Sequence, residues 1–233
     1  MKDIYNDNTY LIQNPTWHEE DASFKVNKIV KLLNNNSISF KTVSEIGCGS
    51  GEILVQLESF FPEVTQFYGF DISKDAIEIA KKKETNRIKF EIKNLSDKNE
   101  VCFYDLQLVI DVIEHIDNYF NFLTGIVSKS NYTIFHIPLD MCVWSLFREN
   151  MLIESKDRVG HIHNFTEDFI LNILTEHGFE IIDVMYTEPI SNQMSTKQKF
   201  INLIRRFIFI INKKFCTKTL GGYSILVLAK NKS

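Results

Sequence analysis

The chain has 233 residues, of which 44% are hydrophobic and 24% charged, which suits one globular domain with a full core and argues against a disordered chain. Its formal net charge of −4 gives no reason to expect general nucleic-acid binding, and Cys48, Cys102, Cys142 and Cys216 are scattered with no C-x-x-C pair, so neither structural zinc nor a disulfide framework is indicated. The first residues lack an apolar signal-peptide core and no run of about 18 uncharged apolar residues occurs, so a cytoplasmic chain with reduced thiols and no membrane span is expected.

In chain order, residues 20–33 place Phe24, Ile29, Val30, Leu32 and Leu33 near helical spacing, and the Asn34-Asn35-Asn36-Ser37 cluster stops the helix. A strand at about 42–46 runs into a glycine-rich turn, Gly47-Cys48-Gly49-Ser50-Gly51, and a helix over 52–60 ends before Pro62. QFYGFDI (66–72) reads as a second strand, with Ser73 as N-cap of the helix KDAIEIAKKK. Strands at 87–92 and 104–111, a helix over about 117–128, and a strand at 132–137 terminated by Pro138 follow. Thr166 is placed to cap a helix over 167–176 that His177-Gly178 ends, and strands at 179–186 and 222–230 close the chain. Strands alternating with helices at this spacing predict an α/β fold with a parallel sheet covered on both faces.

Glycines at 47, 49 and 51 let the backbone turn where a side chain would block a ligand, and they deliver the chain into a helix N-terminus, an arrangement suited to a nucleoside cofactor. A dinucleotide loop would be G-x-G-x-x-G, whereas Glu52 and Ile53 follow Gly51 and the sixth position has no glycine. Asp71, at the end of the second strand, stands where a carboxylate meets a pair of ribose hydroxyls. Asp111 ends the fourth strand, where an aspartate also commonly caps the next helix; the two roles are compatible.

With VSEIGCGSG, FYGFDIS and LVIDVIEHIDN in this order, the chain resembles the class I S-adenosylmethionine-dependent methyltransferases, including small-molecule enzymes of ubiquinone and surface-polysaccharide biosynthesis. The resemblance covers about 40–140, and more loosely the closing strands. It implies a Rossmann-like, seven-stranded, mostly parallel sheet of order 3-2-1-4-5-7-6 with helices on both faces and a C-terminal antiparallel strand. It further implies one domain over 1–233: an N-terminal cap segment and helix (1–36), a cofactor-binding core (37–140), and an acceptor-side region (141–233) with a basic amphipathic insertion at about 190–220. By position, Glu45 and the loop Gly47, Cys48, Gly49 and Gly51 would hold the amino-acid end of S-adenosylmethionine. Asp71 would take the ribose, Ile72 would pack on the adenine, and Asn94 and Leu95 would meet the adenine edge, although Asp is common where this chain has Asn94. Asp111 and Val112 would lie beside the methionine moiety. Tyr10 and Trp17, in a leader similar to that of bacterial sugar-pathway methyltransferases, would close over the cofactor; the bland alternative is that Trp17 anchors the first helix.

Methyl transfer is an in-line attack, so the protein's task is to align an acceptor, and a hydroxyl acceptor needs a base, which histidine supplies near neutral pH. His115, His136, His161 and His163 fall on the cofactor side, and the segment Gly160-His-Ile-His-Asn-Phe-Thr166 resembles ones that border the acceptor pocket. The candidate bases are His161 first, then His115, with His163 third. No metal ligand set is indicated. Residues 197–218 carry seven Lys and Arg and no acid, interleaved with Phe, Ile and Leu, which suits either an anionic membrane surface, a phosphate-bearing or lipid-linked acceptor, or packing on the domain or a second subunit. The reaction expected is O-methylation of a sugar or sugar-phosphate intermediate of bacterial surface polysaccharide, with no nucleic-acid partner. The alternatives are N-methylation, lipid or quinone O-methylation, or a non-catalytic binder of the cofactor; an NAD-dependent oxidoreductase is disfavoured by the missing glycine.

Overall fold

A parallel strand buries both of its faces and therefore reads as a nearly continuous apolar run, with successive side chains entering opposite layers. The computed structural model describes residues 19–148, 150–188 and 196–232, with the backbone alone over 196–199. Its first half alternates as the sequence predicts: α1 (Glu19–Asn36), β1 (Thr42–Ile46), α2 (Glu52–Phe60), β2 (Gln66–Asp71), α3 (Lys74–Ala80), β3 (Ile88–Ile92), β4 (Tyr104–Ile110), α4 (Tyr119–Ile126) and β5 (Ser130–Pro138). The second half adds α5 (Val143–Leu146), α6 (Asn150–Val159), α7 (Glu167–Glu176), β6 (Phe179–Thr187), α8 (Thr196–Ile211), α9 (Lys213–Thr219) and β7 (Ser224–Asn231).

The seven strands form one sheet of order β3-β2-β1-β4-β5-β7-β6, in which β7 runs antiparallel to both β5 and β6. On one face Leu106, Leu108, Leu226 and Leu228 meet α1 and α2 through Ile29, Leu33, Leu54 and Leu57. On the other, Val109, Phe135, Ile225 and Val227 meet α4 and α7 through Leu123, Ile126, Ile170 and Leu174. Alternate residues of β7 thus enter opposite cores, which fixes its register, because a slip of one residue would exchange the two sets.

Element ends follow local chemistry. Ser73 Oγ accepts from Ala76 N at 3.4 Å, as its N-cap position predicts. Helix α3 stops at Ala80, its last buried residue, and Lys81–Lys83 form a 3-10 turn from which Lys83 reaches Glu19 and Glu52. Gly178, at φ +90°, ends α7 as expected, but the Thr166 side chain makes no capping bond. The sequence reading did not resolve α5 and α6, which lie between Pro138 and the Gly160 turn.

Helix α8 departs from the expectation for a packed helix. Phe200, Leu203, Ile204, Phe207, Ile210 and Ile211 form a stripe at helical spacing that faces solvent, with Ile210 82% exposed. Arg205 turns inward instead and donates through Nη2 to Leu220 O at 3.1 Å. Among the described residues, no helix is long and apolar enough to cross a membrane.

One close approach shapes the edge of the sheet. A Cβ at Gly125 of α4 would lie 2.1 Å from the backbone oxygen of Ser96. Gly125→Ala would gain about 1 kcal/mol of helix propensity, but overpacking costs about 1–3 kcal/mol and here the obstacle is backbone. The variant is expected to unfold at lower urea concentration than the parent, by up to about 2 kcal/mol of stability after the two effects are set against each other.

Candidate active site

Because β1, β2, β4 and β5 are parallel, their carboxyl ends lie on one edge, and the chain order reverses between β1 and β4 at the centre of that edge. Such a switch point opens a crevice outside the strand ends. Here it is a cavity of about 960 Å³, near the upper end of the range for ligand pockets and large enough for a cofactor beside a second small molecule.

The glycine turn forms one wall. Gly47, Gly49 and Gly51 have φ of +69°, +52° and +79°. A Cβ at Gly47 would lie 2.6 Å from Val112 Cγ2, and one at Gly51 would lie 2.3 Å from the Phe90 ring, so both positions need glycine for conformation and for packing. Asp71 stitches the turn to β2: its Oδ2 accepts from Gly49 N at 2.9 Å and its Oδ1 from Ser73 N at 2.8 Å. Burial raises the Asp71 pKa against these backbone bonds, which lower it. Glu45 is fully buried, lines the cavity, and keeps Oε2 without a hydrogen-bond partner. Burial, aided by the nearby Asp71 charge and opposed by Lys25, pushes its pKa well up. Cys48 is buried beside them, its thiol raised chiefly by burial.

The next wall is the segment after β3. Asn94 Oδ1 accepts from Ser96 N at 3.1 Å and Ser96 Oγ at 2.7 Å, and the buried Lys129 Nζ donates to Leu95 O and Asp97 O, both at 2.6 Å. Asn94 and Leu95 both line the cavity, as does the half-exposed Ile72.

At the end of β4, Asp111 takes a left-handed φ of +54°. It does not cap a helix. Its Oδ1 lies 2.5 Å from His136 Nδ1, its Oδ2 lies 2.7 Å from Lys25 Nζ of α1, and His136 Nε2 meets Thr187 Oγ1 of β6 at 2.8 Å. Burial would raise the Asp111 pKa, but the attraction of His136 and Lys25 outweighs it and holds the carboxyl well below the usual range.

The opposite end of the cavity gathers Glu114, His115 and His161. Ile162 N and His163 N donate to Glu114 O at 2.9 and 3.1 Å, which draws the 160–163 loop onto the turn after β4. His161 Nδ1 meets Asp140 Oδ2 at 2.6 Å, His115 Nδ1 meets Gly160 O at 3.0 Å, and the two rings stand edge to face with centroids 5.0 Å apart. Glu114 is fully buried and neither carboxylate oxygen has a hydrogen-bond partner. Its pKa lies well above the usual range, first through burial and then through the charge of Asp111. One ligand atom from each of Glu114, His115 and His161 lies within 4.8 Å of the others, a mixed N/O set of a kind able to hold a metal ion, which the sequence reading did not anticipate.

The structure therefore brings Glu45, Gly47, Cys48, Gly49, Asp71, Ile72, Asn94, Leu95, Asp111, Val112, His115 and His161 to one cavity. Gly51 supports it from behind, against Phe90. His163 is not among the lining residues: its Nε2 is bonded to Ile116 O at 2.9 Å and its ring packs on Tyr119. Tyr10 and Trp17 lie outside the described residues. Four participants were missed by the sequence reading: Lys25, Glu114, Asp140 and Thr187. Lys25 sits on the inward stripe of α1 with Ala22, Val26 and Ile29, a face on which a lysine is itself a signal, whereas Asp140 and Thr187 carried none.

The Glu114 environment sets a pH dependence. The folded pKa lies above the ordinary 4.5, so the native state keeps a proton that the unfolded chain has lost, and stability declines as pH rises above the unfolded value. Gln has no such loss. Thermal denaturation of Glu114→Gln should match the parent near about pH 4 and exceed it by a widening margin toward neutrality; a lower Tm at neutral pH would contradict the burial argument.

A family model described as a methyltransferase domain matches residues 17–184, more than half of the chain. Among solved structures, the chain is similar to magnesium protoporphyrin IX methyltransferase (ChlM) from Synechocystis PCC 6803 with bound SAH. That match has 18% identity and a TM-score of 0.61 over 93% of this chain and 84% of the other. It is also similar to the N-methyltransferase NodS from Bradyrhizobium japonicum WM9 in complex with S-adenosyl-L-homocysteine, at 14% identity and a TM-score of 0.61 over 97% of this chain and 100% of the other. At these identities the likeness is one of fold. No curated protein sequence matches the chain. The glycine turn, the acidic strand ends, the sheet order and the family match agree: the chain belongs to this methyltransferase-domain family and is a class I S-adenosylmethionine-dependent methyltransferase.

Proposed function

We propose that the chain methylates a small molecule bound between the cofactor and the His161–Asp140 pair, with His161 as general base. The observation that carries this reading is the 2.6 Å contact of Asp140 Oδ2 with His161 Nδ1 at the cavity wall. With Nδ1–H directed at a carboxylate, the lone pair of the neutral ring is on Nε2, where it is placed to take an acceptor's proton. Asp140 is then a positioning residue: it fixes the tautomer and favours the imidazolium that forms. His115, held by Gly160 O, flanks the same space as the second candidate.

The residues suit the cofactor on chemical grounds. Glu45 offers a buried carboxyl with an unpartnered oxygen, and the glycine turn removes side chains that would fill the cradle. Glu45 and Gly47–Gly51 would hold the cofactor's amino-acid end, Asp71 its ribose through the lone pairs left beside its two backbone bonds, and Ile72, Asn94 and Leu95 its base. Asp111 and Val112 would border the methionine chain. Bound there, the cofactor supplies an electrophilic methyl carbon on a sulfonium. The protein's share is to orient the acceptor, exclude water and accept the proton, and orientation is the larger part of the effect.

A hydroxyl, as on a sugar, and an amine both suit this geometry. A phosphate-bearing acceptor is less well served: Lys25 and Lys93 are the lysines that line the cavity, and each is held in an ion pair, with Asp111 and Glu100. In turnover with a methylated acceptor, His161→Ala should lower kcat by about 10²–10³-fold with little change in affinity for S-adenosylhomocysteine, and Asp140→Asn should give an intermediate loss. Undiminished kcat in His161→Ala would remove this base from the mechanism.

A second reading concerns the acceptor-side surface. The solvent-facing apolar stripe of α8, in a stretch with seven basic residues and no acidic one, suits an anionic lipid bilayer, so that the protein would work as a peripheral enzyme on the cytoplasmic face. The protein is expected to sediment with phosphatidylglycerol vesicles but not with phosphatidylcholine vesicles, and Phe207→Ser with Ile210→Ser should abolish the association. Failure to sediment with either vesicle would overturn it.

A further inference from the structure

The turn over 94–97, directly after β3, has spent most of its oxygens on the protein itself. Asn94 Oδ1 accepts from Ser96 N at 3.1 Å and from Ser96 Oγ at 2.7 Å, which takes both of its lone pairs. A backbone N–H can only donate, so the Asn94 atom facing it is the amide oxygen, and the network itself fixes which way the amide points. The main-chain oxygens are engaged as well. Asn94 O accepts from Asp97 N at 3.2 Å, and Leu95 O and Asp97 O accept from the buried Lys129 Nζ, both at 2.6 Å. Ser96 O lies against α4, where a Cβ at Gly125 would stand 2.1 Å from it. Lys129 also polarises the peptide that carries the Ser96 N–H, which strengthens the bond that orients Asn94. For a ligand in the cavity that Asn94 lines, its side chain therefore has Nδ2 to offer, and Nδ2 is a donor only.

We infer that Asn94 is a specificity-determining residue that meets the cofactor's base as a hydrogen-bond donor, so that the site does not select adenine by its amino group and accepts the 6-oxo purine, hypoxanthine, equally. The inference rests on the cofactor placement proposed above. With the ribose at Asp71, the last residue of β2, the base extends toward the neighbouring β3 and the turn that follows it. Adenine and hypoxanthine have nearly the same shape and differ at one exocyclic group, an amine that donates in the first and a carbonyl that accepts in the second. Nδ2 opposite the amine sets two donors against each other and leaves both wanting a partner, whereas Nδ2 opposite an oxygen or a ring nitrogen completes a bond. Aspartate at 94 would reverse this preference. It would keep one oxygen for Ser96 N and Oγ and bring a second oxygen as acceptor for the amine. The bonds to Ser96 do not use the amide nitrogen, so the difference between Asn and Asp at this position falls on the ligand.

The test compares two ligands by calorimetric titration of the full chain near neutral pH: S-adenosyl-L-homocysteine and its deaminated counterpart, S-inosyl-L-homocysteine. The parent is expected to bind the two within about threefold of each other, and Asn94→Asp to favour S-adenosyl-L-homocysteine by about tenfold or more. The urea midpoint of Asn94→Asp should stay at that of the parent, because its contacts with Ser96 are kept. A parent that prefers S-adenosyl-L-homocysteine by about tenfold or more would overturn the inference, since an acceptor such as the Ser96 hydroxyl would then read the amine. An Asn94→Asp variant that folds as the parent does and shows the parent's ratio would overturn it as well. Failure of the parent to bind either ligand would count against the cofactor site itself.

Discussion

The site is organised around one carboxylate, that of Asp111. It follows directly on β4 with a left-handed backbone, a conformation costing an L-residue about 1 kcal/mol that persists only where surrounding contacts determine it. Lys25 from α1 and His136 from β5 take one oxygen each, and the far nitrogen of His136 reaches Thr187 on β6. The Asp111 backbone N–H also donates to His136 O at 3.1 Å. Four elements distant in sequence are thereby registered at the centre of the cavity floor. Removing Lys25 would leave the Asp111 carboxylate in a partly buried place without its ion-pair partner, which is more costly than never having placed it there.

The contrast with Glu45 and Glu114 is a matter of environment, not residue type. All three acids lie beside the same cavity, but Asp111 is met by Lys25 and His136 and its pKa is held low, whereas burial dominates at Glu45 and Glu114 and raises their pKa. The molecule therefore carries one satisfied carboxylate between two unsatisfied ones, Glu45 on the β1 side and Glu114 on the β4 side. That arrangement leaves an unpartnered buried oxygen at each end of the cavity, and it places His115 and His161 at the second.

The fold supports this division without dictating the acceptor. The walls at Gly47–Gly51, Asp71 and Asn94–Leu95 are short turns after parallel strands, braced by hydrogen bonds to backbone groups from Asp71 and Lys129. The other end of the cavity takes Val159 from the end of α6 and His161 from the turn that follows it. Folds of this kind host many chemistries because such connections vary while the strand ends do not.

The local features were written in the sequence. Helix and strand periodicity, the asparagine and glycine stops, the Ser73 cap and the three glycines each follow from the chemistry of a few neighbouring residues, and so they, with Asp71 and Asp111 at the strand ends, were legible before any coordinate. The motif order carried the sheet topology by resemblance. Contacts over long separations were not legible, because no local pattern encodes them. Lys25 meets Asp111 across 86 positions, His161 is oriented by Asp140 from the far side of two helices, and Glu114 is isolated only once three walls close around it. His163 shows the same limit from the other side: its spacing from His161 suggested a shared role, and the turn of the loop gave it to Ile116 and Tyr119 instead. The sequence determined which chemistry could gather at the strand ends, and tertiary structure decided which groups are paired, which are left wanting a partner, and therefore what the cavity attracts.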